Sequence, residues 1–157
     1  MSDIIYVSKA TLEQLKEELH RMRTVDRPAA ARAIAEAREK GDLKENAEYD
    51  AAKESQGLLE ARIKKMEADY ASARVLVAEN VDTSKVSIMT KVKITNLKTK
   101  KQVTYQIVSE MEADLKLSKI SITSPIGQGL LGKEAGDVVD VVVPSGMLKF
   151  KIEDIFV

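Results

Sequence analysis

With 25 Lys and Arg against 25 Asp and Glu in 157 residues, the chain carries no net charge, which excludes a grip on nucleic acid spread along its whole length. It holds no cysteine and a single histidine, His20, so disulfides, thiolate metal sites and histidine metal clusters are excluded too. No apolar run approaches the roughly 20 residues of a membrane span, and Met1-Ser2-Asp3-Ile4-Ile5-Tyr6 has neither the basic stretch nor the apolar core of a secretion signal, so a cytoplasmic protein is expected, without membrane contact.

The first half reads as helix. Thr11 with Gln14 has the spacing of a capping box. Leu12, Leu15, Leu19 and Met22 then follow three and four apart, the seam of a coiled coil. Pro28 lacks an N–H and crowds the preceding turn, so a kink or short break is expected around Thr24–Arg27. The stripe resumes with Ala30, Ile34 and Ala37, and Gly41 ends the run. A second helix is expected from near Glu45–Glu48, with the stripe Ala52, Gln56, Leu59, Ile63, Met66, Tyr70 and Ala73. Two such stripes joined by a short connection make an antiparallel hairpin of about 40 Å, at about 1.5 Å per residue. Its seam residues are small near the turn and large near the base, so the turn end is expected to be slim.

From about Arg74 the period shortens to two. Strands are expected at Lys91–Thr95, Gln102–Val108, Ile120–Thr123, Val138–Val143 and Leu148–Ile155, with a turn from Asn96 to Lys101. Ser124-Pro125 reads as an N-cap and first residue of a short helix that Gly132 closes. The expected class is α+β: an antiparallel two-helix coiled-coil hairpin over residues 1–78, then a small antiparallel sheet domain with a short helix over residues 79–157.

The chemistry concentrates between the helices, in Gly41-Asp42-Leu43-Lys44-Glu45. Asp42 and Glu45 are three apart, which places two carboxylates on one side if the chain is already turning into helix there. Hard oxygen ligands of this kind suit Mg²⁺, but two of them fill only part of its octahedron, so such a site needs another molecule to complete it. The same spacing also suits helix capping, with Asp42 as cap and Glu45 as its capping-box partner, which is a common role. Arg38 and Lys53 flank the segment. They are candidates for an RNA phosphate backbone, though on pattern alone surface ion pairs with Glu36, Glu39, Glu48 or Glu54 are the commoner role. Tyr49 could stack on a base or pack across the hairpin.

Gly41-Asp42-Leu43-Lys44-Glu45-Asn46-Ala47-Glu48-Tyr49, extended by Ala35 to Lys40 before it and Ala51-Ala52-Lys53-Glu54 after it, resembles the signature of the Gre family of bacterial transcript cleavage factors. The resemblance continues through Ser124-Pro125-Ile126-Gly127 and Gly129 to Glu134, and so covers nearly the whole chain. It implies an N-terminal coiled coil and an FKBP-like C-terminal domain. The implied partners are the RNA polymerase core of an elongation complex and the nascent RNA 3′ end, met by a monomeric factor. It further implies that the C-terminal domain docks near the polymerase secondary channel while the coiled coil reaches down that channel to the active site. There Asp42 and Glu45 would be the two functional acids. They would help retain Mg²⁺ jointly with the polymerase, with none bound to the isolated protein, and activate water so that backtracked polymerase cuts its own transcript. Arg38 and Lys53 fall on the family's RNA-contacting basic patch. Lys53 stands where Arg is frequent, which keeps the charge and loses a bidentate phosphate contact. Ser124 and Pro125 fall on its polymerase-docking segment. The implied role is an accessory one, not that of an enzyme in its own right. Two other readings stand beside it: a relative that occupies the channel without promoting cleavage, and a coiled-coil adaptor or chaperone unrelated to transcription. Prolyl isomerase activity is not expected, since fold does not carry function and the domain is poor in aromatics.

Overall fold

The computed structural model describes residues 4–41 and 46–157. Contacts divide the chain into two units, one holding Ala10–Ala73 and the other holding Ile4–Lys9 with Arg74–Val157.

The first unit is a helical hairpin. Helix α1 (Lys9–Arg21) runs into a π-helical turn (Met22–Asp26) and then α2 (Arg27–Glu39), while α3 (Ala47–Ser72) returns. The helix starts at Lys9, so Thr11 is its third residue and not the cap expected from the Thr11/Gln14 spacing. Pro28 does break the regular helix, in a specific way. With no N–H at Pro28 the four-residue ladder fails there, and the Arg27 N–H instead reaches back five residues to the Met22 carbonyl. Thr24 Oγ1 adds a bond to the His20 carbonyl at 2.8 Å, a contact that bends helices. The wider turn takes in one extra residue. That accounts for a seam that resumes at Ala30 and Ala37, one position later than a strict seven-residue repeat from Met22 would place it.

Leu19, Met22 and Ile63 are buried together at the seam, with Leu59 and Met66 packed against them. Towards the loop the seam narrows to Ala30, Ala37 and Ala52, and small side chains let two helices approach closely. At about 1.5 Å per residue, the 26 residues of α3 span about 39 Å. Two arginines clasp the hairpin at the π-turn. Arg23 reaches Glu67 at 2.6 Å, and Arg27 holds both oxygens of Glu60 at 2.8 and 3.0 Å. The bond from Arg27 holds the Glu60 carboxyl below its usual range. A depressed folded value means that the contribution is present above the unfolded value of about 4.3 and is lost as pH falls through the folded one. Thermal melts of wild type and Glu60→Gln are therefore expected to differ at pH 7 and to converge as pH falls below about 4. The difference is modest, because the pair is solvent-exposed.

The second unit is α+β. Its five-stranded sheet has the order β5-β4-β3-β7-β6, from β3 (Lys91–Asn96), β4 (Gln102–Val108), β5 (Lys119–Ser121), β6 (Val138–Val143) and β7 (Gly146–Phe156). Three of its pairings are antiparallel, but β4 and β5 run parallel, against the expectation of a wholly antiparallel sheet. Two short 3₁₀ turns (Glu110–Glu112 and Leu115–Leu117) carry the chain back between them, so β5 can enter in the same direction as β4. The expected turn after β3 is built by Asn96, whose side-chain oxygen accepts from the N–H groups of Lys98 and Thr99.

Val92, Ile94, Ile107, Leu130, Val141 and Ile152 are at most 2% exposed and form the centre of the core. A further strand, β1 (Ile5–Val7), pairs with β2 (Ala73–Val75), and the Leu76 N–H bonds the Val7 carbonyl. Those bonds draw residues 4–9 away from the hairpin unit, where the boundary at 78/79 would have put them.

Candidate functional site

The site is built where α2 ends and α3 begins. Helix α2 stops at Glu39, and the Lys40 N–H bonds the Ala37 carbonyl. Helix α3 starts at Ala47, with Asn46 as its N-cap. The Asn46 side-chain oxygen accepts from the Tyr49 N–H at 3.0 Å, and its backbone carbonyl accepts from the Asp50 N–H. The Asn46 amide group turns the other way and donates to the Ala37 carbonyl at 2.6 Å. One side chain thus satisfies an orphan donor of α3 and a terminal carbonyl of α2, and ties the two helix ends together. Asn46 was missed by sequence reasoning, although Asn is among the best N-cap residues and the helical pattern begins directly after it. Asn46→Ala is expected to destabilise the hairpin by about 1 kcal/mol, and Asn46→Ser, which keeps a capping oxygen, by less. Circular dichroism melts of the two variants check this.

Asp42 and Glu45 lie outside the described residues. Because the cap of α3 is Asn46 and the helix begins at Ala47, the capping role considered for Asp42 is filled by another residue. For the same reason the helical spacing that would align the two carboxylates is not supplied by α3.

Arg38 and Lys53 are brought together. The Arg38 guanidinium carbon lies 5.8 Å from the centre of the Tyr49 ring and the Lys53 ammonium 5.6 Å from it. Both side chains are exposed, and Tyr49 is half-buried. Among the described residues no ion pair joins Arg38 or Lys53 to Glu36, Glu39, Glu48 or Glu54. The nearby pair is Lys40 with Glu48 at 3.3 Å. A hydrogen bond from Arg38, followed by the charge of Lys53, holds the Tyr49 hydroxyl below the usual phenol value, against the opposite pull of desolvation. The Tyr49 ring thus lies against two cations, one from each helix.

In the second unit, Ser124 caps α4 (Pro125–Leu130). Its hydroxyl donates to the Ser121 carbonyl at 2.6 Å and accepts from the Gly127 N–H at 3.0 Å. The Ser124 side chain is thus engaged in shaping the turn, while Pro125 stands exposed at the first helical position.

The N-terminal family model for transcription elongation factors matches residues 5–75, and the C-terminal GreA/GreB model matches residues 81–156. The chain belongs to the GreA/GreB family of transcription elongation factors. Among curated relatives, the transcription elongation factor GreA of Flavobacterium psychrophilum is 51% identical, covering 99% of this chain and 98% of its own length. GreA of Amoebophilus asiaticus is 53% identical, covering 99% of both chains. Among solved structures, GreA factor homolog 1 of Thermus thermophilus is 28% identical over 98% of this chain and 99% of that one, with a TM-score of 0.46. No described helix is long and apolar enough to cross a membrane. Within this GreA/GreB chain, then, Asn46 ties the end of α2 to the start of α3, and a two-cation cluster gathers over Tyr49. The segment Ser124-Pro125 forms the capped start of a helix on the other unit.

Proposed function

We propose that this chain is a cytoplasmic, monomeric elongation factor that stimulates the intrinsic RNA cleavage of backtracked RNA polymerase. It acts as an accessory and not as an enzyme in its own right. The observation that carries the reading is the hairpin end: two long helices tied by Asn46, which bracket Asp42 and Glu45 in sequence, with Arg38 and Lys53 gathered over Tyr49. Family membership supplies the polymerase as partner.

In this reading Asp42 and Glu45 enter the polymerase active site and orient water towards a phosphodiester of the nascent RNA. Arg38 and Lys53 meet the backbone phosphates near the 3′ end. Ser124 and Pro125 lie on the docking segment, with the Ser124 hydroxyl holding the turn and Pro125 offering surface. Two carboxylates match Mg²⁺ in ligand type and leave most of its coordination to the polymerase, so the isolated protein holds none. When bound, Mg²⁺ supplies the Lewis acidity that makes water a nucleophile at neutral pH.

The test is a halted, backtracked elongation complex given the purified protein and Mg²⁺. Short 3′ RNA fragments should be released, and elongation should resume from the new end. Slowed elongation without fragments would instead identify a channel-blocking inhibitor. No effect, together with no association with polymerase core, would identify an adaptor unrelated to transcription.

A further inference from the structure

Arg38 stands on α2, 11 positions before Tyr49, and Lys53 stands on α3, one turn after it, yet both cations lie within 6 Å of the same ring.

 Two like charges would repel one another, and each sits on a long, freely rotating stem, so without a shared platform they would spread into solvent. The Tyr49 ring offers such a platform, because its negative face attracts both. Its own place is set by Asn46, which holds the Tyr49 N–H at the start of α3.

We infer that Tyr49 is a positioning residue, whose ring gathers Arg38 and Lys53 into one two-cation unit that meets the RNA phosphates. The inference rests on the RNA-contact reading above and deepens it. Ordering two rotamer-rich side chains before the RNA arrives removes a cost that binding would otherwise carry, roughly tenfold in affinity for the pair. It also assigns the ring to the cations and not to a nucleobase.

The experiment uses the full-length protein on a backtracked elongation complex, with the protein concentration for half-maximal cleavage measured across a salt series. Tyr49→Leu is expected to raise that concentration roughly tenfold. It should also flatten the salt dependence towards that of the Arg38→Ala/Lys53→Ala variant, since fewer phosphates are neutralised. Tyr49→Phe keeps the ring and should recover most of the loss. Added to Arg38→Ala/Lys53→Ala, Tyr49→Leu should cost nothing further, because a residue that acts through two others has no effect without them. The inference is overturned if Tyr49→Leu costs as much in that background as in wild type, if it weakens cleavage with the salt slope unchanged (as loss of base stacking would), or if the loss follows a fall in melting temperature. Wild-type cleavage by Arg38→Ala/Lys53→Ala would overturn the RNA-contact reading itself, and is a separate result.

Discussion

Asp42→Asn and Glu45→Gln are each expected to lower the rate of transcript cleavage at saturating protein by about 10²- to 10³-fold, the range seen when one preorganised electrostatic contact to a reacting centre is removed. Each change keeps the size and shape of the side chain and deletes only its negative charge. A neutral amide is a poor substitute where a hard cation and an attacking water need a carboxylate. Fold stability is expected to move by no more than about 0.5 kcal/mol. The reason lies in the cap: α3 takes its N-cap from Asn46, so neither substitution removes it. Cleavage kinetics, a competition assay for polymerase binding and a thermal melt together decide the matter. Near-normal cleavage by both variants would end the proposed mechanism. A joint fall in melting temperature and cleavage would return the two acids to a structural role.

The second large effect concerns stability. A Cβ at Gly127 would stand 2.1 Å from the Ser121 carbonyl oxygen and 2.9 Å from Ser124 Oγ. Neither neighbour can retreat easily. Ser121 is held in register with Val108 in the sheet, and the Ser124 hydroxyl is bonded to both Ser121 and Gly127. Gly127→Ala is therefore expected to destabilise the second unit by about 3 kcal/mol or more. For a unit of this size that lowers the melting temperature on the order of 12 °C or more. Because the same turn presents Pro125, polymerase affinity should fall with it. Gly57 is the contrast: it lies exposed within α3 with open space around its missing Cβ, so Gly57→Ala should stabilise by about 0.5–1 kcal/mol. A Gly127→Ala protein that melts with wild type would show that the turn can relax, and would remove the argument for a rigid docking segment.

Much of this protein was legible in its sequence because the signals are local. Alternating three and four spacings mark α1 to α3, and period two marks β4 and β6, whose expected bounds agree with the structure. Ser124 and Pro125 announce α4 through the requirements of a helix start. The tip motif, with its link to a family, is likewise a matter of contiguous residues.

What needed the tertiary structure depends on pairings and chain paths that spacing along the sequence does not specify. Pro28 predicts a break, but only the pairing of the Arg27 N–H with Met22 makes it a π-turn that shifts the seam by one residue. The three residues of β1 are too few to show a period, and they become a strand only by pairing with β2. The direction of β5 follows from the path of the two turns before it. At the tip, sequence placed two acids and two cations along a line of residues and left each with a bland alternative. The hairpin brings the two cations together, because the phase of α2 against α3 sets them over one ring. For the helix start it chose Asn46, because that side chain hydrogen-bonds both the Ala37 carbonyl and the Tyr49 N–H. Spacing along one helix is fixed by the backbone. The phase of one helix against another is fixed by packing, which no single stretch of sequence contains.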